Sequence, residues 1–117
     1  EPKKAFLAKY AGQPYMVDEF GGLPWIKQEE RSTSWGYGRQ IDKLEDFYTI
    51  LDKEVKALKA CKHVVGYCYT QITDVEQEKN GIYYYDRTTK FDAERLKSIF
   101  AQIPSIIENP QDLSDWK

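Results

Sequence analysis

Apolar residues recur at three- and four-residue steps through Ile41, Leu44, Tyr48, Leu51, Val55 and Leu58. That spacing draws one apolar stripe along a helix, with Lys and Glu on the opposite face, and predicts a helix near 41–61. Lys59 and Lys62 suit its negative C-terminal end. A second stripe of Leu96, Ile99, Phe100 and Ile103 predicts a helix near 92–103. Asp92 is a good N-cap for it, Phe91 and Leu96 are spaced to close a hydrophobic staple, and Pro104 stands where it would end or kink. Elsewhere the pattern shortens to strand length. Pro14 to Glu19 and Val64 to Thr70 are brief apolar runs. The second is apolar almost throughout, as expected of a parallel strand covered on both faces, and Cys68 within it reads as a small buried hydrophobe.

Each run is followed by a long polar and aromatic segment, Phe20 to Gln40 and Gln71 to Lys90. Loops of about twenty residues without their own structure are usually functional. The Tyr83-Tyr84-Tyr85 run is long enough to add a short strand. Lys3 to Ala11 read as the end of a helix closing at Gly12, and 109–116 as an irregular tail. The fold class is therefore α/β. Strand, long loop and helix, twice over, make about a quarter of an eight-fold β/α barrel. Two parallel strands cannot cover their own edges, so the expected architecture is a partial (β/α)₈ barrel of about two units, not a complete one, prone to self-association.

At 117 residues the chain is one domain or part of a larger one. Its net charge of -2 offers no electrostatic case for nucleic acid or anionic membrane. No apolar run approaches the ~20 residues of a membrane span, so neither partner is expected, and the compartment stays open. Two cysteines make no disulfide framework. A single histidine, His63, at a helix-to-strand junction, reads as structural, and no metal or cofactor is expected. Aromatic content stands out: three Trp, nine Tyr and five Phe make 15% of the chain, many in the loop segments. Sugar rings stack on such faces, and with the acidic balance a carbohydrate is the expected ligand.

In parallel α/β architectures chemistry gathers where strands end. Asp18 and Glu19 stand there, ahead of Gly21-Gly22, which let another group approach the backbone. Taken alone, the pair is also what a wet strand end looks like. Trp35 is either a stacking platform for a sugar or a ring folded back on Tyr48, and Trp25 poses a similar choice. Tyr69 and Gln71 share a strand face by alternation and are expected to point into a pocket. Gln71 and Asp74 can hydrogen-bond sugar hydroxyls, although Thr73-Asp74 also suit a turn. Glu76 and Glu78 read as a solvated loop, or as partners of Arg39 or Arg87.

The ordered set Asp18-Glu19-Phe20-Gly21-Gly22, Ser34-Trp35-Gly36-Tyr37-Gly38, Gly66 to Glu78, Asn80-Gly81 and Tyr85-Asp86-Arg87 resembles the end of the catalytic barrel in glycoside hydrolase family 2. That family includes β-galactosidases, β-glucuronidases and β-mannosidases, and the resemblance runs from about Pro14 to Ser98. It implies a retaining mechanism on a (β/α)₈ barrel, with Glu19 as nucleophile after the seventh strand. A second glutamate, in an Asn-Glu pair after the fourth strand, would serve as acid and base, with the carboxyl groups roughly 5–5.5 Å apart. No Asn-Glu pair occurs in the sequence. By the family's order it would precede Glu1, as would the sugar-binding domains. The chain is thus expected to be a fragment covering the seventh and eighth β/α units, with Trp35, Tyr69, Gln71 and Asp74 as substrate-binding candidates and the rest of the barrel as partner. Loss of the general acid alone removes roughly 10²–10⁴ in rate, so the chain by itself is expected to be inactive. The sugar stays unspecified. The alternative is a noncatalytic carbohydrate-binding or interaction module.

Overall fold

The computed structural model describes residues 11–103. The helix end expected over residues 3–10 and the tail at 109–116 lie outside them. Strand β1 (Tyr15–Gly21) leads through a 3₁₀ turn at Gln28–Glu30 to helix α1 (Leu44–Ala60), strand β2 (Val64–Thr70) and helix α2 (Ala93–Phe100). The strands pair in parallel. The result is a small mixed α/β domain of two helices and a two-stranded parallel sheet, not a complete barrel.

The helices meet through the predicted stripes, widened by one residue. Phe47, Tyr48, Leu51 and Val55 of α1 are buried, and Leu96 and Ile99 of α2 face them. Phe47, adjacent to Tyr48, stacks on Phe91 with ring centroids 3.8 Å apart. Burial of each such side chain is worth about 1.5–3 kcal/mol. The start of α2 is fixed as its sequence predicts. Asp92 accepts from the Arg95 N–H at 2.9 Å, and Phe91 and Leu96 both enter the core. The Asp92 N–H donates to the Tyr48 hydroxyl at 2.8 Å. Arg95 lies 3.7 Å over the Tyr48 ring and donates twice to Glu45, at 2.6 and 2.8 Å, which holds the Glu45 carboxyl below its ordinary range.

Both helices are shorter than their stripes. Ile41 is buried, but its N–H donates to the Pro24 carbonyl at 3.3 Å, so it anchors the preceding loop and α1 starts at Leu44. Helix α2 stops at Phe100, well before Pro104, because other elements take its last carbonyls. The Lys59 ammonium donates to Phe100 O at 2.7 Å and also to Gln102 O, and the Tyr67 hydroxyl reaches Phe100 O at 3.1 Å. Lys59 thus caps the neighbouring helix rather than its own, and Ile103 ends 81% exposed.

One face of the sheet packs on the helices through Phe20, Tyr67 and Tyr69, the Phe20 ring meeting the two tyrosines edge-on at 5.3 and 5.5 Å. The other face is open. Met16 and Cys68 are exposed there, which corrects the expectation of a strand covered on both sides with Cys68 buried. Nor does the tyrosine run form a strand. Tyr83 makes isolated bridges to Thr73 and Thr89 and holds the loop on itself. Among the described residues no helix is long and apolar enough to cross a membrane.

Candidate functional site

Residue pairing along the sheet shifts twice, first between Tyr15 and Met16 and again where β1 reaches its carboxylates. Val17 pairs with Tyr67, and Phe20 with Tyr69, so β1 spends three residues where β2 spends two. Strict alternation would send Glu19 to the same side as Val17. The extra residue is a bulge: Phe20 packs on the core, Val17 is half-buried, and Asp18 and Glu19 both stay exposed. A bulge of this kind re-aims side chains, and here it delivers Glu19 to solvent at the C-terminal end of the parallel pair.

The glycine pair then shapes what surrounds it. Gly21 and Gly22 have φ of 88° and 65°. A Cβ on Gly21 would lie 2.3 Å from the Tyr69 ring, and one on Gly22 2.7 Å from the Tyr37 ring. Gly21 therefore makes room for Tyr69 in the packed layer, and Gly22 brings Tyr37 against the strand end. Gly21→Ala combines a left-handed backbone with a blocked ring and is expected to destabilise the chain by roughly 2–4 kcal/mol in urea unfolding. A change under 0.5 kcal/mol, on the order of an ordinary surface substitution, would show that the close approach is unimportant.

The two long loops are bound to each other beside Glu19. The Trp35 N–H donates to Gln77 O at 2.8 Å, the Lys79 N–H returns to Trp35 O at 2.8 Å, and the Trp25 N–H reaches Lys79 O at 3.3 Å. Asn80, fully buried, joins both loops through its amide. Its Oδ1 accepts from the Tyr37 N–H at 3.2 Å and its Nδ2 donates to Glu78 Oε1 at 3.2 Å. Trp35 and Tyr37 are half exposed, with ring centroids 5.8 Å apart. The Glu78 carboxylate, with smaller contributions from desolvation and from Glu19, raises the Tyr37 phenol above its ordinary range, so it stays a neutral donor.

The second loop is built on a buried ion pair. Asp74 and Lys90 meet with both side chains fully buried. Asp74 Oδ1 also accepts from the Gly81 N–H at 2.9 Å, and Lys90 donates to Lys79 O at 3.2 Å. Burial pulls the Lys90 ammonium below the usual lysine range and Asp74 opposes it. The Tyr84 ring carries Lys27 at 4.3 Å and Lys90 at 5.3 Å.

Of the five residues singled out in the sequence, Glu19 and Trp35 reach solvent. Tyr69 does not. It lies with Tyr67 on the helix side, its hydroxyl donating to Asn80 O at 3.3 Å, because alternation sends both rings to the core. Asp74 is likewise withdrawn into its pair with Lys90, which corrects its reading as a sugar contact in favour of turn building. Gln71 is half-buried after a cis Thr70–Gln71 peptide, its carbonyl accepting from the Ile82 N–H at 3.0 Å and its Nε2 buried. Trp35 does not fold back on Tyr48, whereas Trp25 does pack against the core. Glu78, read as a solvated or salt-bridged loop residue, is held by Asn80. Tyr37 lies in the glycine-flanked Trp35-Gly36-Tyr37-Gly38 alternation and Asn80 in the Asn80-Gly81 pair, but no local pattern showed that they and Glu78 would meet.

The face is open rather than enclosed. Depressions of about 430 and 320 Å³ run along α1 and between α1 and α2, and neither reaches Glu19. Among the described residues no group of three or more His, Cys, Asp or Glu could hold a metal ion. Protein-family models were scanned and none matches the chain, and no curated protein matches it.

Proposed function

We propose that the chain supplies the seventh and eighth β/α units of a glycoside hydrolase family 2 barrel, with Glu19 as the nucleophile of a retaining β-glycosidase. One observation carries this reading: the β1 bulge that exposes Glu19 at the C-terminal end of a parallel strand, beside two loops fastened together around Trp35. In a retaining reaction the Glu19 carboxylate attacks the anomeric carbon and the aglycone oxygen departs. A second carboxyl group in the preceding units protonates that oxygen and then activates water to release the sugar. Trp35 and Tyr37 offer apolar ring faces to the sugar, with the neutral Tyr37 hydroxyl as donor. The open sheet face, with Met16 and Cys68, becomes the barrel interior once the other strands are present.

The isolated chain, lacking an Asn-Glu pair, is expected to release no nitrophenol from an aryl β-glycoside and to self-associate through its open sheet. Turnover that tracks the purified chain, or a strict monomer by light scattering, counts against the incomplete-barrel reading. A noncatalytic binding module separates from it in the parent enzyme, where Glu19→Gln must abolish turnover while sugar binding persists.

A further inference from the structure

We propose that Glu78, fixed by Asn80 beside Tyr37, makes this face select neutral glycosides and reject uronic acids; the proposal rests on the glycoside-binding reading above. The buried Asn80 amide accepts from the Tyr37 backbone N–H and donates to the Glu78 carboxylate at 3.2 Å each, so the Glu78 carboxylate is tied to the Tyr37 backbone. Asn80 is neutral and occupies one oxygen of the carboxylate, which leaves acceptor positions on Glu78. Sugar hydroxyls are donors and match such a group. A uronate carboxylate brings only acceptors and a second negative charge.

The carboxylates that act on the Tyr37 hydroxyl are Glu78 first and Glu19 second. Lys79, between Glu78 and Asn80, turns away to Glu30 at 3.4 Å with its side chain 11% exposed. Lys27 is occupied over the Tyr84 ring. Trp35 and Tyr37 are half exposed, so a charge on a bound sugar meets Glu78 through solvent, where added salt screens the repulsion.

The test compares ligands that differ only at C6. The full chain is titrated with methyl β-D-glucopyranoside and its uronate, and with the matching galactoside pair. The Trp35 indole N–H and the Tyr37 amide are followed by NMR. Both neutral sugars or one of them should shift these signals, with the matching uronate weaker by about tenfold or more, and added salt should narrow the gap. Glu78→Gln retains an acceptor for Asn80 and should bring the two affinities within about threefold, the charge now being gone. Equal affinities in the unaltered chain, or a gap indifferent to salt, overturn the selection while leaving glycoside binding standing. No shift with any of the four sugars overturns both. The salt comparison decides the matter even if the Glu78 variant does not fold.

Discussion

If Glu19 is the nucleophile proposed above, Glu19→Ala in the proposed parent enzyme is expected to lower kcat by roughly 10⁴–10⁶-fold, the scale on which removal of a covalent nucleophile acts. A structural role cannot account for what azide should then do. With the carboxylate gone, azide enters from the vacated face of an activated aryl β-glycoside and displaces the aryloxide. The product is an α-glycosyl azide, and the rate recovers in proportion to azide. The β1 bulge makes this test clean, because Glu19 is exposed and its loss leaves no buried group unpaired. Product of β configuration, or no recovery together with intact substrate binding, removes Glu19 from the nucleophile role.

The largest stability effect is expected at Lys90. Lys90→Met leaves the Asp74 carboxylate buried without its counter-charge and should cost about 3–5 kcal/mol in denaturant unfolding. The second change, Asp74→Asn, keeps an acceptor for the Gly81 N–H and removes the stranded charge. The double variant is therefore expected to recover most of the loss. A Lys90→Met variant within 1 kcal/mol of the parent, about the value of an exposed pair, would mean that the loop does not depend on this pair.

Periodicity carried the helices well because their burial is one-sided. Leu51, Val55, Leu96 and Ile99 are all inside. What it could not give were the ends. The start of α1 depends on Ile41 bonding to Pro24, and the end of α2 on Lys59 and Tyr67, contacts between residues far apart in the chain. Strand β2 was legible in position but not in burial, since an apolar run cannot say which face has a partner. Glu19 and Trp35 are exposed, as the proposed binding role requires, whereas Tyr69 is turned inward and Asp74 takes the loop-building role that its sequence also allowed. Tyr69 fails because alternation says which residues share a face but not which face meets the helices, and Tyr67 and Tyr69 both meet them. Asp74 fails because its partner, Lys90, closes a loop of sixteen residues that no local pattern links. Asn80 was visible as part of an Asn-Gly pair, but its bond to Tyr37, across 43 residues, follows from no local pattern.

The central claim is that Glu19 forms a covalent bond to the sugar. Incubation of the parent enzyme with 2-deoxy-2-fluoro β-glycosides carrying a dinitrophenyl leaving group slows breakdown of the intermediate more than its formation. Mass spectrometry of the digested protein should then place one fluoroglycosyl group on the peptide holding Glu19, with one equivalent of dinitrophenolate released. A label on any other carboxylate, in an enzyme that still turns over its substrate, contradicts the assignment.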